Sequence, residues 1–131
     1  MKEKIFNMEG IKKMNKAIKI LKNHVKKDIN VDQIEILLHL ADNEPDPVSY
    51  STLSKLMDNP KESISMNINI LGEYYIKDPS NGELIDTGLG MVKAFPSPHD
   101  SDENVAFLTA KGTKVVWMLN GVNPSDCTKS S

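Results

Sequence analysis

The chain has 131 residues, 39% of them hydrophobic and 26% charged, a size and balance that point to one globular domain and exclude a disordered chain. No apolar run approaches the ~18 residues of a membrane helix, and the charged start MKEKIFNMEG does not have the apolar core of a secretion signal, so a cytoplasmic protein is expected. The net charge of -2 hides a division, because residues 1–27 carry nine lysines against Glu3 and Glu9 while the rest of the chain is acidic.

From Ile11 the residues Ile11, Met14, Ile18, Leu21 and Val25 recur at alternating spacings of three and four, a narrow apolar stripe on a lysine-covered helix that Gly10 would open. So narrow a stripe suits packing against a copy of itself, and packing on the same domain is the alternative. INVDQIEILLHLADN predicts a buried helix with Ile34, Leu37, Leu38 and Ala41 on one face and Ile36 and Leu40 on its flank. EPDPVSY is a loop, since Pro45 and Pro47 remove two backbone donors and disfavour helix before them. Ser51 is the expected N-cap of a short helix with Leu53, Leu56 and Met57 inward, broken at Asn59 and Pro60. Pro60 suits the first turn of the next helix, on which Ile64, Ile68 and Leu71 form one apolar face.

Beyond it the period changes. Gly82, Gly88 and Gly90 punctuate the chain, and MVKAF (91–95) and NVAFL (104–108) alternate as two short strands around PSPHDSDE. Thr109 caps a last helix whose Val115, Val116 and Leu119 form an apolar patch beside Trp117. The polar tail is expected to be disordered. The predicted fold class is α+β, mainly helical: a winged helix-turn-helix domain over residues 31–120, preceded by a basic amphipathic dimerisation helix (1–30), carrying a two-stranded β-wing, and followed by the tail (121–131).

The residues offer little for catalysis. His24, His39 and His99 have no metal or triad spacing, the glycines fit neither GxxxxGK nor GxGxxG, and Cys127 is the sole cysteine, so no enzyme, metal or cofactor is expected. All 16 basic residues are lysine, which fits an AT-rich genome, bacterial or viral (a phage protein, for instance), and removes the side chain best suited to reading guanine.

In detail, VDQIEILLHLADN, SYSTLSKLMDNPKESISMNINILGEYYIKD and NVAFLTAKGTKVV, with Leu108-Thr109-Ala110-Lys111-Gly112 at the strand-to-helix junction, make the chain resemble the MarR family of transcription regulators over about 80 residues. The resemblance implies a winged helix that binds DNA as a dimer through its terminal helices. It also exposes a departure. Where the family's wing carries an aspartate and, two residues on, an arginine, this chain has Asp100 and Asp102.

Placing Ile64, Ile68 and Leu71 inward turns Glu62, Met66, Asn69 and Glu73 outward, with Ser63 and Ser65 at the sides. The candidate DNA contacts are Asn69 to adenine, Met66 to a thymine methyl, Ser63 and Ser65 to bases or phosphates, and Thr52, Lys55 and Lys61 to phosphates, with Lys93 and His99 as the cationic groups of the wing. Against these stand Asp100, Asp102 and Glu103 at the wing tip, which repel phosphate. Two readings follow: a regulator binding double-stranded DNA as a homodimer, or a winged-helix module docking on a protein of the transcription machinery through its acidic wing, for example a virus-encoded regulator binding RNA polymerase.

Overall fold

The computed structural model describes residues 8–121. The tail from 122 on, with Cys127, lies outside them, as does all but Gly121 of the segment expected to be disordered. Ten elements follow in order: α1 (Met8–His24), α2 (Val31–Asp42), β1 (Val48–Ser49), α3 (Tyr50–Met57), α4 (Lys61–Leu71), β2 (Tyr75–Lys77), β3 (Leu84–Asp86), β4 (Val92–Pro96), β5 (Asn104–Leu108) and α5 (Ala110–Leu119). Among the described residues no helix is long and apolar enough to cross a membrane.

The core is built where helices α2 to α5 meet the inner face of the β4–β5 hairpin. Ile36, Leu37 and Leu40 of α2, Leu53 of α3, Ile64, Ile68 and Leu71 of α4, Val92 and Leu108 of the hairpin, and Val115 and Val116 of α5 are buried together. Each such aliphatic side chain contributes roughly 1.5–3 kcal/mol through its removal from water. The inward face of α2 is centred on Ile36, Leu37 and Leu40, and Leu38 points outward at 46% exposure. In the same way Leu56 of α3 is exposed, and Leu53 carries that helix's packing.

Local capping sets the helix ends. Asn30 and Gln33 form a reciprocal capping box at the start of α2, with Gln33 N–H donating to Asn30 Oδ1 at 2.8 Å and Asn30 N–H to Gln33 Oε1 at 3.2 Å. The N-cap of α3 is Ser49 rather than Ser51, its side chain accepting from the Thr52 amide, so Tyr50 enters the helix and is buried. Asp58 in the left-handed conformation (φ 52°) ends α3, and Pro60 stands at the N-cap of α4, one position before the first turn. Helix α1 is already formed at Met8, the first described residue, and runs through Gly10.

The segment expected as a loop before α3 contributes β1, which joins the hairpin in a three-stranded antiparallel sheet of order β1-β5-β4. Its register pairs Val48 with Ala106, and Val92 to Pro96 pair with Leu108 to Asn104. A second hairpin, β2–β3, comes from the glycine-punctuated stretch in which no strands were expected, with Tyr75 opposite Asp86 and Lys77 opposite Leu84. It is an insertion closed at its base: Met91 N–H donates to Leu71 O (2.7 Å) and Gly90 N–H to Gly72 O (2.9 Å), so the chain returns to the point it left. At Gly88 a Cβ would lie 2.1 Å from Gly72 O, and only glycine lets the feet of the hairpin close.

The Leu-Thr-x-Lys-Gly signal has a local explanation in this fold. Leu108 is buried, Thr109 caps α5 by accepting from Gly112 N–H (3.1 Å) while donating to Gly90 O (2.6 Å), and Lys111 donates to Leu89 O (3.0 Å). Gly112 lies against Met91, where a Cβ would fall 2.1 Å from that residue's carbonyl oxygen. Four of the five motif residues therefore bind the last helix to β5 and to the segment 89–91 that leads into β4.

Candidate nucleic-acid interface

Helix α4 is oriented by burial and by one polar contact. Ile64, Ile68 and Leu71 face the core, and between them the buried Asn67 accepts from Gln33 Nε2 at 3.1 Å and donates to Ser63 O at 3.0 Å. The bond to Gln33 of α2 resists rotation of the helix, because turning it would leave the buried Gln33 amide without its acceptor. The opposite face presents Glu62, Met66 (63% exposed) and Asn69 to solvent, with Ser63 and Ser65 half-buried at its sides. Thr52 and Lys55 of α3 are exposed, Thr52 accepting from Ser49 Oγ at 2.8 Å. The helix-turn-helix thus brings seven of the expected contacts, Thr52, Lys55, Lys61, Ser63, Ser65, Met66 and Asn69, onto two adjoining helices.

The expected cations fare differently. Lys61 Nζ lies 3.1 Å from Glu103 Oε2, and Lys93 Nζ lies 3.5 Å from Glu73 Oε1, so both are already paired with carboxylates from distant parts of the chain. Glu103 is not a free acid of the wing either. It accepts from Ser51 N–H and Ser51 Oγ at 2.8 Å each as well as from Lys61, and its side chain is 17% exposed. The Ser51 amide, the Ser51 hydroxyl and then Lys61 hold its carboxyl down from the ordinary 4.5 to about 2. Asp100, Asp102 and His99 remain exposed at the tip, Asp100 Oδ1 accepting from Asp102 N–H at 3.0 Å.

Sequence reasoning missed Ser51 as a donor and missed the inserted hairpin's reach. Tyr75 and Glu73 form, with Asn69 and Ala94, the walls of a small groove between α4 and β4, so the hairpin stands beside the C-terminal end of the outward face of α4. Glu73 lies beyond the end of α4 and accepts from Tyr75 OH at 3.2 Å. The signal that could have revealed the hairpin is Asp78-Pro79-Ser80-Asn81-Gly82, a turn cluster flanked by Tyr74-Tyr75-Ile76 and Leu84-Ile85.

The expected dimer stripe divides. Ile11, Met14 and Ile18 are 37%, 63% and 40% exposed, whereas Leu21 and Val25 are 4% and 8% exposed within this chain's own core. The correction follows from packing: α1 lies against α5, and its C-terminal end joins the core, which leaves the N-terminal half of the stripe, with Met8, uncovered. Among the described residues no cluster of three or more His, Cys, Asp or Glu side chains could hold a metal.

This arrangement, two helices across a tight turn followed by a β-hairpin and a closing helix, recurs in solved structures. The S. aureus MepR–DNA complex matches over 94% of this chain and 83% of MepR, with a TM-score of 0.63 at 16% identity. The fold is that of the MarR-type winged helix. RV1404 from Mycobacterium tuberculosis matches with a TM-score of 0.61 at 16% identity over 93% of this chain and 71% of its own, and the transcriptional regulator Tm0710 from Thermotoga maritima with 0.61 at 17% over 93% and 72%. No family model and no curated protein matches the chain. In MarR-type terms α3 and α4 are the helix-turn-helix and β4–β5 the wing, and the β2–β3 hairpin is set between α4 and the wing.

Proposed function

We propose that the chain is a cytoplasmic, non-enzymatic transcription regulator that binds double-stranded DNA as a homodimer, with α4 in the major groove. The observation that carries this reading is the outward face of α4, where Met66 and Asn69 stand exposed, as do Thr52 and Lys55 on the packed helix α3, while the Asn67–Gln33 bond fixes the helix's rotation. Its fold likeness to MepR, seen in complex with DNA, supports it. Asn69 would pair with adenine and Met66 touch a thymine methyl. Ser63 and Ser65 would reach bases or phosphates, and Thr52, Lys55 and Lys61 phosphates, with Lys93 and His99 at the flanks. The uncovered Met8, Ile11, Met14 and Ile18 supply the self-contact, and the lysines of α1 supply positive potential.

One observation favours a second reading. Lys61 and Lys93 are both neutralised by the chain's own carboxylates, while Asp100 and Asp102 stay exposed, which suits docking on a basic surface of the transcription machinery. Anisotropy of labelled duplexes, random and from the protein's own promoter, between about 50 and 200 mM salt separates the two. A steep salt dependence with preference for one duplex is the expected result, and no binding at the low-salt end rejects the first reading. Sedimentation of the Ile11→Asp, Ile18→Asp double variant should show monomers, and an unchanged coefficient rejects the stripe.

A further inference from the structure

We propose that Glu103 is a built-in competitor for DNA phosphate, its carboxylate occupying the donors with which the corner of the helix-turn-helix would otherwise grip the backbone. This inference rests on the DNA-binding reading above and deepens it. Three donors from the starts of two helices, Ser51 N–H, Ser51 Oγ–H and Lys61 Nζ, converge on one carboxylate at 2.8, 2.8 and 3.1 Å. A main-chain amide, a hydroxyl and a lysine are the groups that proteins use to hold phosphate oxygens. Here the acceptor comes from the mouth of β5, 52 residues from Ser51, so it belongs to the wing and not to the helices it caps.

The surroundings are open and acidic. The contact lies at the side of an open groove between the start of α4 and the wing, on whose rim Glu62 and Asp102 add two further carboxylates. A phosphate entering there meets three negative groups, and the lysine that should attract it is already engaged. The same donors hold the Glu103 carboxyl well below the ordinary carboxylate range, at about 2. Lys55 is then the cation of the helix-turn-helix without an ion pair among the described residues.

Glu103→Gln tests the proposal, with anisotropy on a random-sequence 30-base-pair duplex as readout and thermal melting as the control for folding. Affinity at 100 mM salt should rise by about tenfold or more, and the slope of log affinity against log salt should steepen by about one unit as Lys61 becomes available. Adding Lys61→Gln to Glu103→Gln should cancel the extra slope. If Glu103→Gln fails to fold, Glu103→Thr, whose residue type suits a strand entrance, replaces it. Binding by the variant alone, or tighter binding by the variant than by wild type, supports competition. Equal or weaker binding by a folded variant overturns it and leaves the DNA-binding reading standing, because Glu103 is then only a brace for the wing. Absence of binding by both proteins at 50 mM salt overturns both.

Discussion

The β4–β5 hairpin turns one face to the core and buries Val92, Ala106 and Leu108 there, whereas every residue of β2 and β3 is exposed. Both are antiparallel pairs, with strands of five residues in the wing and three in the insertion, yet their stabilising interactions differ in kind. The wing hairpin is held by apolar burial, by β1 along its edge and by Thr109 and Gly112 at its exit. The inserted hairpin is held by its feet and its turn. Asp86 Oδ1 accepts from Tyr74 N–H and Gly88 N–H, both at 2.9 Å, which holds its carboxyl below the ordinary carboxylate value. Asp78 organises the far end with Gly82 N–H donating to its carbonyl at 2.8 Å. A strand pair without a buried face is marginal by itself, so these polar ties at both ends define its shape.

The largest test of that difference is Leu108→Ala, which removes buried atoms that the wing shares with α5 and should cost about 2–5 kcal/mol in urea unfolding. A smaller effect comes from the polar tie at the wing's tip. Glu103 titrates at about 2 when folded against 4.5 when free, so its contribution is fully present above pH 4.5 and is lost as pH falls toward 2. Melting curves of wild type across that range should show the loss, and Glu103→Gln should flatten it. Replacing residues 75–86 by Asn-Gly joins Tyr74 to Thr87, where Thr87 N–H already donates to Tyr74 O at 2.6 Å. This excision should change stability by less than about 1 kcal/mol, since no buried side chain is removed. The smallest effect is expected for Lys93→Ala, which breaks the exposed ion pair between wing strand and hairpin foot and should cost no more than about 0.5 kcal/mol.

The same contrast explains what could be read from the residues. MVKAF and NVAFL announced themselves because alternation records a buried face, as the stripe of Ile64, Ile68 and Leu71 records the inner side of α4. The helix-turn-helix and the outward position of Met66 and Asn69 followed from the same periodicity. Tyr75-Ile76-Lys77 and Leu84-Ile85-Asp86 have no buried side to record, and they escaped notice despite the turn residues between them. The stripe of α1 was legible as a stripe, but the partner of each residue was not: periodicity places Leu21 and Ile18 alike, and only the packing of α5 separates the buried one from the exposed one. Pairings such as Lys61 with Glu103, 42 residues apart, have no local signature at all, and they reverse the electrostatic meaning of a lysine that looked free.

In the proposed function the outward face of α4, and not either hairpin, reads DNA. Backbone amide shift perturbation of the isotope-labelled protein by a bound duplex tests it residue by residue. The predicted result is a set of shifts centred on Met66 and Asn69 with Thr52 and Lys55, fading over residues 75–86. Shifts confined to α1 or to the inserted hairpin, with α4 unmoved, would contradict it.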